Sequence, residues 1–375
     1  MHTSDDFGFT EEHALLRSGV RRFLEEHGGS EAIRRLIEQP GAFDARLHRQ
    51  MAELGWLGLV APEAHGGAGM GWLHLALVLE EMGRALVPSA FFPCVLAALA
   101  IDRGGDDAQK GRWLPGLVGG ERVATLALCE PASSWEPEAV SATAEPAGDG
   151  HVLQGVKTHV ASGAEASLMI APLREPGGAV HLYAVELDAT GVRVEREEGL
   201  DPTRPTARVV LEGVRVPGAA RLAGGDRHAL ADVWRRARTL LAAEMTGGID
   251  RVVTMTRDYA KERVQFGRAI GSFQAVKHPL VDAMIGVEQV RSLVYGAAAA
   301  LDGRFDDAEP LSRMAKALAS DVYAFAVRKG VQLHGGFGFT WECDVHFWFR
   351  RAMWSRAMLG DAVHHRRHLG EHLVT

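Results

Sequence analysis

The chain has 375 residues, 47% hydrophobic and 24% charged, with a formal net charge of -7 when histidine is neutral. That balance excludes disorder as the main state, and the length suits two or three domains better than one. A mildly acidic chain without a long basic stripe is a poor match for a nucleic-acid backbone, and its longest apolar run, Phe91 to Ile101, contains Pro93 and is too short for a bilayer.

Helical periodicity opens the chain. Thr10 followed by Glu11 and Glu12 reads as an N-cap with an acidic first turn, Leu15, Leu16, Val20, Phe23 and Leu24 recur at helical spacing, and Gly28-Gly29 ends the element. A second helix carries Leu47, Met51 and Leu54 and stops at Gly55. The Gly- and Pro-rich loop APEAHGGAGMG leads into a helix from Trp72 to about Arg84, and Ser89 to Ile101, apolar nearly all round, predicts a buried helix. From about Glu121 the texture changes to short β-type runs: Arg122–Leu128, His151–Leu153, Leu168–Pro172, Val180–Leu187, Val192–Val194 and Ala207–Leu211. They predict a small antiparallel barrel or sandwich with a hairpin turn at Gly148-Asp149-Gly150. From Asp226 helical periodicity returns, broken near Gly267–Gly271, Gly303–Pro310 and Gly335–Gly338, as in an antiparallel bundle of three or four helices. The expectation is an α+β chain in three parts: an all-α domain over 1–120, a β-barrel or sandwich domain over 121–225, and a four-helix bundle over 226–375.

Several motifs have plain structural readings. Gly66–Gly71 lies between helices rather than after a strand, so it is loop geometry and not a dinucleotide fingerprint. His364, His365, His368 and His372 stand among Arg366 and Arg367, which favours a solvated basic terminus over a metal site. Cys94, Cys129 and Cys343 lie far apart and form no Cys-x-x-Cys pair, so neither a disulfide framework nor a zinc site is expected. That usage, with an acidic N-terminus unlike a signal peptide, points to the cytoplasm. No HExxH, GxSxG or Walker sequence occurs.

The stretch from Tyr259 to His278, YAKERVQFGRAIGSFQAVKH, places a cation, amides and a tight glycine turn between two helices, a corner able to take a phosphate through the fork of Arg263. Together with Val331 to Glu342, VQLHGGFGFTWE, it resembles the two C-terminal signatures of the acyl-CoA dehydrogenase family. Leu54 to Gly71, Leu79 to Ser89 and Leu126 to Pro131 are similar to that family as well, so the resemblance spans nearly the whole chain and its helical–β–helical order.

The resemblance implies an FAD-dependent oxidoreductase that desaturates an acyl-CoA thioester between its α and β carbons and passes electrons to an electron-transfer flavoprotein or similar acceptor. The chemistry needs a carboxylate over the weakly acidic α-proton and hydrogen bonds to the thioester carbonyl, while the flavin takes the hydride. The family lends part of each FAD site to the neighbouring subunit, and that part is present here as Arg263, Phe266, Gln274, Gln332, Gly335 and Gly336. The half facing the chain's own flavin departs from the pattern. Cys129 stands where the family has Thr in Thr-Glu-Pro, and His159 and Ala161 replace the Trp and Thr of Trp-Ile-Thr-Asn. The family's Glu-Gly-Thr falls on Leu359-Gly360-Asp361, which puts leucine at the usual base and a carboxylate where a pyrophosphate binds. The family's other base position falls on Ala237. Glu244, on or beside the apolar face marked by Val233, Leu240, Leu241, Gly248 and Val252, is either an ion-pair partner of a core arginine or a replacement base.

An intact lent half beside an altered own half implies a subunit of a hetero-oligomer with a second, unlike family member, as in actinobacterial enzymes of steroid-type side-chain breakdown. The alternatives are a homotetramer with substituted flavin contacts, and a diverged acyl-thioester binder without redox chemistry.

Overall fold

The computed structural model describes residues 7–132, 134–136 and 139–374. Its contacts cluster into two compact units: one takes in the chain to Arg35, Trp72–Val87 and everything from Arg235, and the other Leu36–Gly71 with Pro88–Trp234.

The first unit is helical. Helix α1 (Glu11–His27) starts at the expected N-cap, where His13 Nδ1 accepts the Thr10 N–H at 3.1 Å and lies 2.7 Å from its hydroxyl. Helix α2 (Ser30–Ile37) follows, a short element that the periodicity does not announce. Helices α4 (Trp72–Ala85), α7 (Arg227–Glu262), α8 (Gln274–Leu301), α9 (Ala308–His334), α10 (Val345–Ala357) and α11 (Ala362–Val374) complete the helical elements of this part of the chain. The expected breaks near Gly267, Gly303 and Gly335 are present. A further one over 358–361 makes five C-terminal helices among the described residues rather than three or four.

Two glycines set how closely α4 and α7 cross. A Cβ on Gly83 would lie 1.8 Å from the Glu244 carbonyl oxygen, and one on Gly247 would lie 1.7 Å from that of Glu80. The helices therefore touch backbone to backbone, which only glycine permits. Around the crossing, α4 buries two carboxylates and pairs both. Glu80 accepts from Arg17 at 2.7 Å, Arg291 at 2.9 Å and the Tyr295 hydroxyl at 2.6 Å, and Glu81 takes two bonds from Arg21 at 2.9 and 2.7 Å. These pairs tie α1 and α8 to α4 by satisfying charges that would otherwise be costly to bury.

The second unit holds α3 (Ala45–Glu53), α5 (Phe91–Gly104), α6 (Asp107–Val118) and a curled seven-stranded sheet. The strands are β1 (Ala124–Leu126), β2 (Thr143–Ala147), β3 (Gly150–Ala161), β4 (Leu168–Arg174), β5 (Val180–Glu186), β6 (Val192–Glu197) and β7 (Thr206–Pro217), ordered β1-β4-β2-β3-β7-β6 with β5 on β4. The sheet is mixed, which corrects the antiparallel expectation: β1 and β2 each pair with β4 in parallel. Gly148 and Asp149 do form the hairpin turn, since Ala147 pairs with Gly150. Leu153, Met169, Leu173, Tyr183, Val185, Val209 and Leu211 pack beneath the sheet as its core.

No helix among the described residues is long and apolar enough to cross a membrane.

Candidate functional site

Three places carry the residues singled out in the sequence. The first is the corner where α7 runs into α8. Arg263 follows the last turn of α7, and strands β8 (Val264–Gln265) and β9 (Arg268–Ala269) make a hairpin whose two turn residues, Phe266 and Gly267, have φ of 55° and 78°. Left-handed φ at both positions is what a tight hairpin of this twist requires. It leaves the Phe266 ring 90% exposed. Phe273 caps α8, with the Arg268 guanidinium 4.1 Å over its ring, and Gln274 begins that helix exposed. At the other side, Gln332 is exposed on the last turn of α9, and Gly335 and Gly336 follow it with nothing within 4 Å of where a Cβ would stand.

Tyr259 and His334 join the two sides. Their rings stack at 4.4 Å, and the Tyr259 hydroxyl donates to the His334 carbonyl at 3.3 Å. The structure thus unites the two C-terminal signatures, separated by more than fifty residues, in one corner. Arg263, Gln274 and Gln332 present their polar groups outward, flanked by exposed Phe337, Phe339 and Trp341.

The second place is the junction of β3 with the segment after β1. Cys129 is buried, its carbonyl accepting the Thr158 N–H at 3.0 Å. Burial pushes the thiol pKa up. Beneath it, Glu130 and Lys157 form a buried ion pair at 2.6 Å. Lys157 also donates to the Pro172 carbonyl at 2.7 Å, and the Ser141 N–H donates to Glu130 at 2.7 Å. Burial opposes the charge of both groups, and the pair and its hydrogen bonds retain it: Glu130 ends below the usual carboxylate range, Lys157 below the usual amine range. The strand register then shifts between Lys157 and Val160, a bulge that turns His159 outward with φ of 51°. Its N–H donates to Glu197 at 3.0 Å and its ring is more than half exposed. Ala161 is partly exposed, and its carbonyl accepts the Thr125 hydroxyl at 2.7 Å.

The third place is the loop between α10 and α11. Leu359 and Gly360 have φ of 59° and 91°, and Leu359 is buried. Asp361 caps α11, accepting the His364 N–H at 2.8 Å. Lys316 of α9, wholly buried, holds the loop from below, donating to the Gly360 carbonyl at 2.8 Å, the Ser320 hydroxyl at 3.0 Å and the Arg356 carbonyl at 3.3 Å. Burial brings its pKa down to about 7. His365 is buried as well, which corrects the expectation of a wholly solvated terminus. Burial, with Lys316 and Arg238 nearby, takes its pKa down to about 2.

Ala237 and Glu244 both lie in the buried middle of α7. Glu244 is ion-paired with Arg351 of α10, and each is about 3% exposed. Of the two readings left open for this carboxylate, the core ion pair is the one observed. Sequence reasoning did not single out the buried lysines. Their signal was present: Lys316 stands in the small apolar run MAKALAS of a helix, and Lys157 two residues before His159 in a strand.

A family model for the acyl-CoA dehydrogenase N-terminal domain matches residues 10–121, and one for the C-terminal domain matches 228–374. The acyl-CoA dehydrogenase IpdE2 of Mycolicibacterium smegmatis is 32% identical, over 96% of this chain and 98% of its own. Among solved structures, the Tcur3481-Tcur3483 steroid ACAD, in a variant form, superposes with a TM-score of 0.88 at 33% identity, covering 97% of this chain and 98% of its own. The ChsE4-ChsE5 complex from Mycobacterium tuberculosis superposes with a TM-score of 0.91 at 28% identity, covering 98% of each chain. On the fold, the two C-terminal signatures and these matches, the chain belongs to the acyl-CoA dehydrogenase family.

Proposed function

We propose that this chain is one subunit of a cytoplasmic, FAD-dependent acyl-CoA dehydrogenase built from two unlike chains. In this reading it lends a cofactor half-site to its partner and supplies no α-proton base of its own. The single observation that carries the reading is the contrast between the corner and the loops. Arg263, Gln274 and Gln332 are exposed with unengaged polar groups, which fits the phosphates and adenosine of FAD held by a neighbouring chain. Leu359, Asp361 and Cys129 do not fit a flavin of the chain's own in the family's manner. Leu359 is apolar and buried, Asp361 brings a negative charge towards a pyrophosphate, and Cys129 offers a buried thiol in place of a hydroxyl.

Bound FAD supplies the acceptor for the β-hydride. The residues of this chain do the rest of what the reading assigns to it. Arg263 clamps phosphate oxygens, the amides of Gln274 and Gln332 orient the nucleotide, and Gly335 and Gly336 let backbone approach it closely. Glu244 does not serve as base, because its charge is committed to Arg351 inside the bundle. The α-proton then goes to a carboxylate of the unlike chain. Two solved neighbours, Tcur3481-Tcur3483 and ChsE4-ChsE5, are themselves two-component assemblies, the former named a steroid ACAD. The former supports a steroid-type acyl-CoA as substrate class, and an electron-transferring flavoprotein structure from Acidaminococcus fermentans and the CarC subunit of a caffeyl-CoA reductase-Etf complex, both similar to this chain, support an electron-transfer flavoprotein or similar acceptor as redox partner.

The test is flavin stoichiometry. Expressed alone, the chain is expected to be colourless; co-expressed with an unlike family member from the same genome, it should yield a yellow complex with fewer flavins than chains. One FAD per chain on a homo-oligomer would overturn the reading in favour of substituted contacts. A colourless complex would favour a thioester binder without redox chemistry.

A further inference from the structure

One glycine brings together the two helices behind the corner. Val252, Thr256 and Tyr259 follow one another along one face of α7, and Gly330 of α9 lies against the first two. A Cβ on Gly330 would stand 3.0 Å from Val252 Cγ1 and 3.3 Å from Thr256 Oγ1, so a larger residue there would crowd both helices. One turn further along each helix the contact becomes aromatic. Tyr259 stacks on His334 with 24° between the rings, and Phe337 of the following turn continues the stack, 6.2 Å from Tyr259 and inclined by 17°. His334 is 6% exposed, and its Nδ1 is fixed as a donor because it faces the Gly330 carbonyl at 2.7 Å. The Tyr259 hydroxyl closes the pair on the His334 carbonyl. The groups assigned to the cofactor hang directly from these two residues. The Arg263 N–H donates to the Tyr259 carbonyl at 2.9 Å, and Gly335 and Gly336 follow His334 in the chain.

We propose that Tyr259 and His334 are positioning residues of the lent half-site, holding Arg263 at a set distance from Gln332, Gly335 and Gly336 before the cofactor arrives. The inference rests on the reading of this corner as a half-site for FAD, and it names what preorganises it. Arg263 and Gln332 are exposed, so their own surroundings do little to place them. A nucleotide that spans both sides gains from both sets of contacts at once only when their spacing is already fixed; otherwise binding bears the cost of ordering them. The stack and its two hydrogen bonds are the aromatic and polar links between the end of α7 and the end of α9 at that level. Neither ring needs to touch the cofactor for this. The two residues act through the backbone they hold.

The experiment titrates FAD into the two-chain complex stripped of flavin, and follows hydrogen exchange in the full chain alone. Tyr259→Leu is expected to raise the Kd for FAD about tenfold, as a misplaced binding group does. Tyr259→Phe keeps the ring and loses one long hydrogen bond, so about threefold is expected. Thermal melts confirm that the variants are folded. A double-mutant cycle separates positioning from general loosening: in an Arg263→Gln background, Tyr259→Leu is expected to add no more than about twofold, whereas a merely structural loss would cost the same in both backgrounds. In the chain alone, Tyr259→Leu should speed exchange at the amides of Gly335 to Gly338, a readout that needs neither partner nor flavin. Additive effects in the cycle, a Kd unmoved by Tyr259→Leu, or unchanged exchange at those amides would each overturn the proposal while leaving the half-site reading intact. A complex whose FAD affinity is indifferent to Arg263→Gln, or that takes up no FAD, would overturn that reading and the proposal with it.

Discussion

The corner at Arg263 and the loop at Leu359 belong to the same helical unit, and they solve opposite problems. At the corner, functional groups face outward and the fold spends its own bonds behind them: the Tyr259–His334 stack, the Arg268–Phe273 contact, a two-residue hairpin. At the loop the polar groups face inward. Lys316 takes two backbone carbonyls and a hydroxyl, Asp361 caps a helix, and Leu359 fills the core. The corner is thus built to be completed from outside, and the loop is complete without help. On the proposed reading, a family member can lose the chemistry of one half-site and keep the other, because the two are stabilised by different bonds.

The largest effect should come from the shared scaffold. Gly247→Ala places a methyl 1.7 Å from the Glu80 carbonyl oxygen, so the variant should fail to accumulate as folded protein, whereas Gly336→Ala at the corner meets nothing within 4 Å and should fold normally. Soluble yield and circular dichroism compare them. Next comes the buried ion pair of Glu244 with Arg351. Glu244→Leu leaves Arg351 buried alone and should lower stability by about 3–5 kcal/mol in urea unfolding, with much of the loss recovered when Arg351→Leu is added. An unchanged midpoint for the single variant would mean the carboxylate is free for other work.

A sharper cut at the corner is Arg263→Gln. Removing an exposed side chain should move the chain's own stability by no more than about 0.5 kcal/mol, yet lower the flavin content of the two-chain complex severalfold. If flavin content is unaffected, the corner is not lent. The smallest effect is graded with pH. Burial holds His48 at about 4 and His365 at about 2, against 6.5 unfolded. Their folded pKa values are depressed, so the unfolded chain binds the extra protons. Stability from these groups is full above pH 6.5 and falls as pH drops, until about 4 for His48 and further for His365. The urea midpoint should therefore decline from pH 7 to pH 5, and His48→Leu should make that decline shallower; an identical slope would show that burial does not depress the His48 pKa.

Much of this was legible in the sequence because local rules agreed with the fold. Thr10 caps α1, Gly148-Asp149 turns a hairpin, and the two C-terminal signatures give the corner. The rest failed for physical reasons. Strand β2 reads TAEPA, with Pro146 inside it and little alternation, so its pairing with β3 gives no periodic sign. Strand β3 runs twelve residues through Gly155 and Lys157, and only its first apolar stretch announced a strand. Parallel pairing on β4 depends on which segments meet, which no single run of residues encodes. The partner of Glu244 lies 107 positions away on a helix whose own pattern gives Arg351 no distinction. The expectation could name an arginine but not which one.

The sealing of Lys157 and Lys316 has a chemical consequence for a protein that would handle activated acyl groups. Thioesters acylate free amines, and the chain contains just six lysines, two of them wholly out of reach. Acyl damage in the native state is steered to the remaining side chains, none of which holds Cys129 or the α10–α11 loop in place. Label appearing on Lys157 or Lys316 would record that a molecule had opened, giving each copy of the chain a built-in mark of its own unfolding.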